Sequence, residues 1–171
     1  MSTPHIRWMI RRDLPEVFWI ESESFDDSWT FDEFLSVLRQ RNCIGLSAED
    51  CDSGEVIGYA IYELKPHRLE ILNLAVDPVR RNDGVGSALI AKMQGKLTSR
   101  RPYLSALVRE TNLNAQLFLQ RRGFRWISTE RAKYGNEDAY WMERERQPEN
   151  RTPISAGQLR ASVSRGLRWS S

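Results

Sequence analysis

The chain has 171 residues, 40% of them hydrophobic and 10% aromatic, enough for one domain with a packed core. It contains no run of 18 apolar residues, and its opening MSTPHIRWMIRRD has no apolar signal core, so neither a membrane span nor a secretion leader is expected and the cytoplasm is the expected compartment. The net charge of +2 is uneven: Arg151, Arg160, Arg165 and Arg168 against Glu149 give residues 148–171 a charge of +3 and leave the body at −1, which argues against a nucleic-acid surface on the body.

In chain order, residues 5–10 alternate as a first strand, and Asp13 with Glu16 three places on reads as the cap of a helix reaching Ser24. Thr30 and Glu33 form a capping box ahead of Phe34, Leu35 and Leu38, and the loop Phe25-Asp26-Asp27-Ser28-Trp29 separates the two helices. Residues 43–49 and 55–65 read as strands joined by a turn at Cys51-Asp52-Ser53-Gly54. Were Cys43 and Cys51 on one strand, they would stand about 26 Å apart at roughly 3.3 Å per residue, too far for a disulfide.

A strand over 68–77 follows, then a charged loop over 78–83 and a helix from Gly84 to about Ser99, with Gly95 a weak point inside it. A strand over 103–109, a helix from Asn112 to Arg122, a strand from Gly123-Phe124 and a last strand over 138–145 complete the order β-α-α-β-β-β-α-β-α-β-β. That order predicts an α/β domain over residues 1–147, a mixed sheet with helices on both faces, followed by a basic tail at 148–171. The tail's Ser, Gly and Pro content reads as disorder, a solvated terminus or an arm that touches RNA. His5 and His67 have no metal-ligand spacing. Trp8, Trp19, Trp126 and Trp141 read as core.

The informative stretch runs from Leu69 to Ser87. A strand ends at Asp77-Pro78, and a helix begins inside Arg81-x-x-Gly84-x-Gly86. Free N–H groups and the positive dipole end of a helix start bind phosphate. Glycines let the backbone approach an anion, and Arg80 and Arg81 add charge. No Gly-Lys-Ser/Thr follows, which excludes a nucleotide P-loop.

This stretch resembles motif A of the GNAT superfamily, and Leu107–Phe124, with Asn112 opening its helix, is similar to motif B. The resemblance spans roughly residues 6–146, and its flavour is that of the ribosomal-protein alanine N-acetyltransferases, to which Phe25, Trp29 and Glu137-Asp138-Ala139 also conform. It implies acetyl-CoA as cofactor. Backbone groups of Leu74, Ala75 and Val76 would pair with the pantetheine arm. Amides of Arg81, Asn82, Asp83, Gly84, Val85, Gly86 and Ser87 would hold the pyrophosphate, and Asn112 would lie near the acetyl end.

Direct acetyl transfer needs a neutral amine and a route for its proton. An α-amine, with a pKa of about 7.7–8 against about 10.4 for lysine, asks less of a base. At the positions where the alanine N-acetyltransferases carry a glutamate base and a tyrosine acid, this chain has Leu107 and Leu119. Glu70 matches the base of the histone-acetylating members of the superfamily; the alternative is a solvated carboxylate paired with Arg68 or Lys65. With period 2, Glu70, Leu72, Leu74 and Val76 share a face unless a bulge intervenes. Tyr134, in the last hairpin, is the candidate for substrate binding or a proton relay, with Phe25 and Trp29 as the facing wall. The resemblance implies an N-acetyltransferase whose acceptor is a protein or peptide N-terminus, that of a ribosomal protein among the candidates. A small amine of polyamine or aminoglycoside type, or a non-catalytic acetyl-CoA-binding module, are the alternatives.

Overall fold

The capping box at Thr30 forms as its residue types dictate. Glu33 N–H donates to the Thr30 hydroxyl at 3.3 Å, and Thr30 N–H donates to the Glu33 carboxylate at 2.7 Å. It opens α2 (Phe31–Leu38), which follows α1 (Leu14–Ser24). The remaining helices are α3 (Val85–Gln94) and α4 (Leu113–Gln120). The strands are β1 (His5–Trp8), β2 (Cys43–Glu49), β3 (Val56–Leu64), β4 (Arg68–Val76), β5 (Tyr103–Arg109), β6 (Arg125–Tyr134) and β7 (Glu137–Glu145). The computed structural model describes residues 3–147, and the basic tail and its expected roles lie outside them.

The expected element order is found. Seven strands form one sheet in the order β1-β2-β3-β4-β5-β7-β6. All neighbours are antiparallel except β4 and β5, which run parallel. Helices cover both faces. α3 and α4 pack with Leu69, Ile71, Leu74 and Val76 of β4 around Leu89, Met93 and Leu104. On the other face, Val17 and Ile20 of α1 and Phe34 of α2 pack on Tyr59, Ile61 and Ala75. Burying a side chain such as Phe34 contributes roughly 2 kcal/mol.

Two irregularities shape the site. Parallel pairing of β4 with β5 covers Arg68–Ile71 against Tyr103–Ala106 and then stops. The strands part beyond it, so residues 73–76 of β4 are paired on their β3 side alone. In addition, Ile61 pairs with Asn73 but Tyr62 with Ile71, so Leu72 is a bulge residue. The bulge overturns the expected shared face. Glu70 and Leu72 lie on the α1/α2 side with Asn73 and Ala75, whereas Leu74 and Val76 face α3 and α4.

Other expectations need correction. β1 ends at Trp8, and a short 3-10 turn over Arg11–Asp13 leads into α1. Asp13 does not cap α1 with its side chain. Its carboxylate instead accepts from Arg7 at 2.7 and 2.9 Å, from Ile10 N–H at 2.9 Å and from the Ser47 hydroxyl at 2.8 Å. Glu16 accepts from Val56 N–H at 2.7 Å, stitching α1 to β3 rather than capping. α3 stops at Gln94 because Gly95 becomes its C-cap, five residues before Ser99. Trp8 and Trp19 are 52% and 49% exposed and Trp126 is also exposed, so these tryptophans are not core. Cys43 is buried and Cys51 exposed, both as free thiols. No helix among the described residues is long and apolar enough to cross a membrane.

Candidate active site

The splay between β4 and β5 opens a cavity of about 260 Å³. Its walls bring together Leu72, Asn73 and Leu74 of β4, Leu107 and Arg109 of β5, and Asn112, Phe118 and Leu119 at α4. Phe25, Asp27 and Trp29 of the α1–α2 loop line it from one side, and Tyr134 of the β6–β7 hairpin from the other. Four residues expected at the site, Phe25, Trp29, Asn112 and Tyr134, therefore meet in one cavity with Leu74.

Leu74, Ala75 and Val76 keep peptide groups without a β5 partner along the splay. Peptide groups inside a protein must find partners, and an extended chain laid along that edge would supply them. At the end of β4 the chain passes through Asn82 and Gly84, both left-handed with φ of 69° and 83°. Gly84 is the N-cap of α3, and no side chain caps the helix start. Amides of Val85, Gly86 and Ser87 are thus free for an anion, and a Cβ at Gly84 would meet nothing within 4 Å. Gly86 serves packing instead, since a Cβ there would lie 2.9 Å from the Phe118 ring.

The two arginines of this loop differ. Arg80 is held by Asp50 and by Asp83 at 3.1 Å, and Asp50 sits below the usual carboxylate range because of that Arg80 contact. Its charge is compensated within the protein. Arg81 reaches back to the Ser24 hydroxyl at 3.1 Å and to the Val76 carbonyl at 3.3 Å, joining the loop to α1. Arg122, at the end of α4, donates to the Ser87 hydroxyl and lies over Phe118 at 3.6 Å.

Glu70 does not line the cavity. It stands in register with Glu63 on β3 and Ser105 on β5, and Arg68 donates to it at 3.1 Å. Arg68 in turn stacks on Trp141 at 4.8 Å. Asn112 caps α4 by accepting from Ala115 N–H at 3.1 Å. Tyr134 is half-exposed, with the Arg109 guanidinium 4.1 Å from its ring centre. Arg109 also pairs with Glu137 at 3.3 Å, and Glu137 lies below its ordinary pKa because the Thr111 hydroxyl and Arg109 hold its carboxylate.

Sequence reasoning missed a buried polar cluster on the cavity wall. Glu21 of α1 accepts from Trp29 N–H at 2.7 Å, from Asn73 Nδ2 at 3.0 Å and from the Tyr59 hydroxyl. Burial, and then the Glu21 contact, push the Tyr59 phenol well above its ordinary value. A signal existed: position 21 continues the inward stripe of Leu14 and Val17 at helical spacing.

Residues 8–124 match the sequence model of the Acetyltransferase (GNAT) family. No curated protein matches the chain. Among solved structures, the ribosomal-protein-S18-alanine N-acetyltransferase from Escherichia coli superposes with a TM-score of 0.75 at 24% identity, covering 89% of this chain and 99% of that one. NAA60 of Arabidopsis thaliana in complex with acetyl-CoA gives 0.72 at 19%, covering 84% and 98%. Nourseothricin acetyltransferase gives 0.68 at 18%, covering 85% and 100%. At these identities the likeness is one of fold.

Proposed function

The chain belongs to the Acetyltransferase (GNAT) family, whose members are acetyl-CoA-dependent N-acetyltransferases, and on that premise we propose that its acceptor is the N-terminal α-amine of a protein or peptide. The observation that carries this reading is the cavity through the β4–β5 splay, which is lined by Phe25 and Trp29 of one loop and by Tyr134 of another. A groove between two loops suits an extended chain end. The fold neighbours that act on protein N-termini support it. Nourseothricin acetyltransferase keeps a small-molecule amine as the second reading.

Acetyl-CoA supplies the activated acetyl group as a thioester. The unpaired edge of Leu74–Val76 would orient its pantetheine arm, and the amides of Arg81–Ser87 would receive its pyrophosphate. Asn112, on the cavity wall, would stand near the acetyl end. When the amine attacks, its proton must leave. With Leu107 and Leu119 unable to accept it, Glu70 is the base we propose, reached from the acceptor side of the sheet through water because it stands off the cavity wall. Tyr134 would hold the acceptor backbone or relay the proton.

Turnover of acetyl-CoA with peptides bearing free or blocked N-termini tests this, with Glu70→Gln beside the wild type. Acetylation should be confined to free N-termini and fall about 100-fold or more in the variant, with cofactor affinity unchanged. Turnover restricted to small amines would sink the peptide reading, and an unimpaired variant would remove Glu70 as base.

A further inference from the structure

Three carboxylates among the described residues are both buried and multiply hydrogen-bonded, and one of them is built differently. Asp13 faces Arg7, and Asp50 faces Arg80. Glu21 is 1% exposed, and its three partners, Trp29 N–H, Asn73 Nδ2 and the Tyr59 hydroxyl, are all neutral donors. A buried carboxylate is costly unless a cation or a full set of donors compensates it. Here the donors are present and the cation is not. Moreover, Glu21 and Asn73 lie on the wall of the cavity, beside Phe25 and Trp29. Aromatic faces attract cations, and one Glu21 oxygen, Oε1, has a single partner and so a spare lone pair.

We infer that Glu21 is the countercharge for the acceptor's amino group: the cavity wall formed by Glu21, Asn73, Phe25 and Trp29 receives a primary amine in its ammonium form and holds its nitrogen at the head of the splay. The role is recognition. It rests on the peptide reading above only for the choice of probe. A purely structural Glu21, stapling the α1–α2 loop through Trp29 N–H, would affect any occupant of the cavity alike, with or without an amine.

The test measures dissociation constants, with CoA present, for a short peptide and for its desamino twin, in which hydrogen replaces the N-terminal amino group. The wild-type protein should prefer the amine at least 10-fold. Glu21→Gln should bring the two within about two-fold of each other, with acetyl-CoA affinity kept. Tyr59→Phe, which removes a donor and leaves the charge, should retain the preference. A folded Glu21→Gln protein that still discriminates 10-fold overturns the inference. If that variant does not fold, Glu21→Asp decides: a withdrawn carboxylate lowers the preference several-fold if the inference holds and leaves it unchanged if it does not. If the wild type binds neither peptide, the peptide acceptor is wrong. A primary alkylamine and the matching alcohol then decide Glu21 by the same ratio.

Discussion

The guanidinium of Arg109 lies 3.2 Å from the carboxylate of Asp27, 82 residues earlier in the chain, and both residues line the cavity. Arg109 also touches Tyr134 and Glu137, so one side chain from β5 joins the α1–α2 loop to the β6–β7 hairpin. Asp27 is 88% exposed, and such pairs contribute little to stability. Arg109→Ala should therefore cost less than about 1 kcal/mol in unfolding free energy. We expect it to raise the acceptor's KM about 10-fold by releasing both walls. Steady-state kinetics with a calorimetric check of acetyl-CoA binding measure both effects. An unchanged KM would mean that the walls hold their spacing without the arginine.

Gly86 is where α3 and α4 meet. Gly86→Ala would press a methyl group against the Phe118 ring, and overpacking of this kind costs about 1–3 kcal/mol. Because the same turn carries the amides proposed to receive the pyrophosphate, acetyl-CoA affinity should fall as well. Trimming the ring in the double variant with Phe118→Leu should recover part of both losses in a thermal-shift titration. If the double variant is no better than the single one, the clash is not the cause.

Asp13 contributes to the acid limb of stability. Burial alone would raise its pKa, yet Arg7, Ile10 N–H and the Ser47 hydroxyl together hold it below the usual carboxylate range. A lowered folded-state pKa contributes stability that is complete above the unfolded value of about 3.9 and is lost as the pH falls through the folded one. Asp13→Asn should cost about 3 kcal/mol at neutral pH and flatten the pH dependence below about 4. Denaturant melts at pH 7 and pH 3 should show the gap between variant and wild type closing at the lower pH.

The two thiols should separate chemically. Cys43 is buried, and burial pushes its thiol up from the ordinary value, whereas Cys51 is exposed after β2. A maleimide reagent on the native protein should label Cys51 alone, with Cys43 reacting only after denaturation. Peptide mapping gives the answer, and labelling of Cys43 in the native state would contradict its burial.

What the sequence disclosed follows from which forces are local. The capping box at Thr30, the Gly84 turn and the Asn112 cap are formed by neighbours three or four places apart, so residue type alone announces them. The turn proposed to hold the cofactor was legible for the same reason, since its shape depends on Gly84 and the helix start beside it. Glu21 was not, because its partners Tyr59 and Asn73 stand 38 and 52 residues away. Asp13 had the composition of a cap and was claimed by Arg7 and Ser47, a competition that only tertiary contact decides. The bulge at Leu72 is a third case. Period-2 alternation gave Glu70 the same face as Leu74, and one unpaired residue reversed the second half of the strand.

The place of β7 has a consequence for how the domain comes into being. Among the described residues it is the last strand in the chain, yet it lies between β5 and β6, and no other described strand lies beside β6. While the chain is growing, each of β2, β3 and β4 can pair with the strand before it as it appears. The far arm has no such option: β6 must wait beside a gap, and β5 keeps an open edge, until the residues through Glu145 arrive. Chain order and spatial order disagree there, and the Tyr134 wall of the cavity belongs to the hairpin that needs β7 to reach the rest of the sheet.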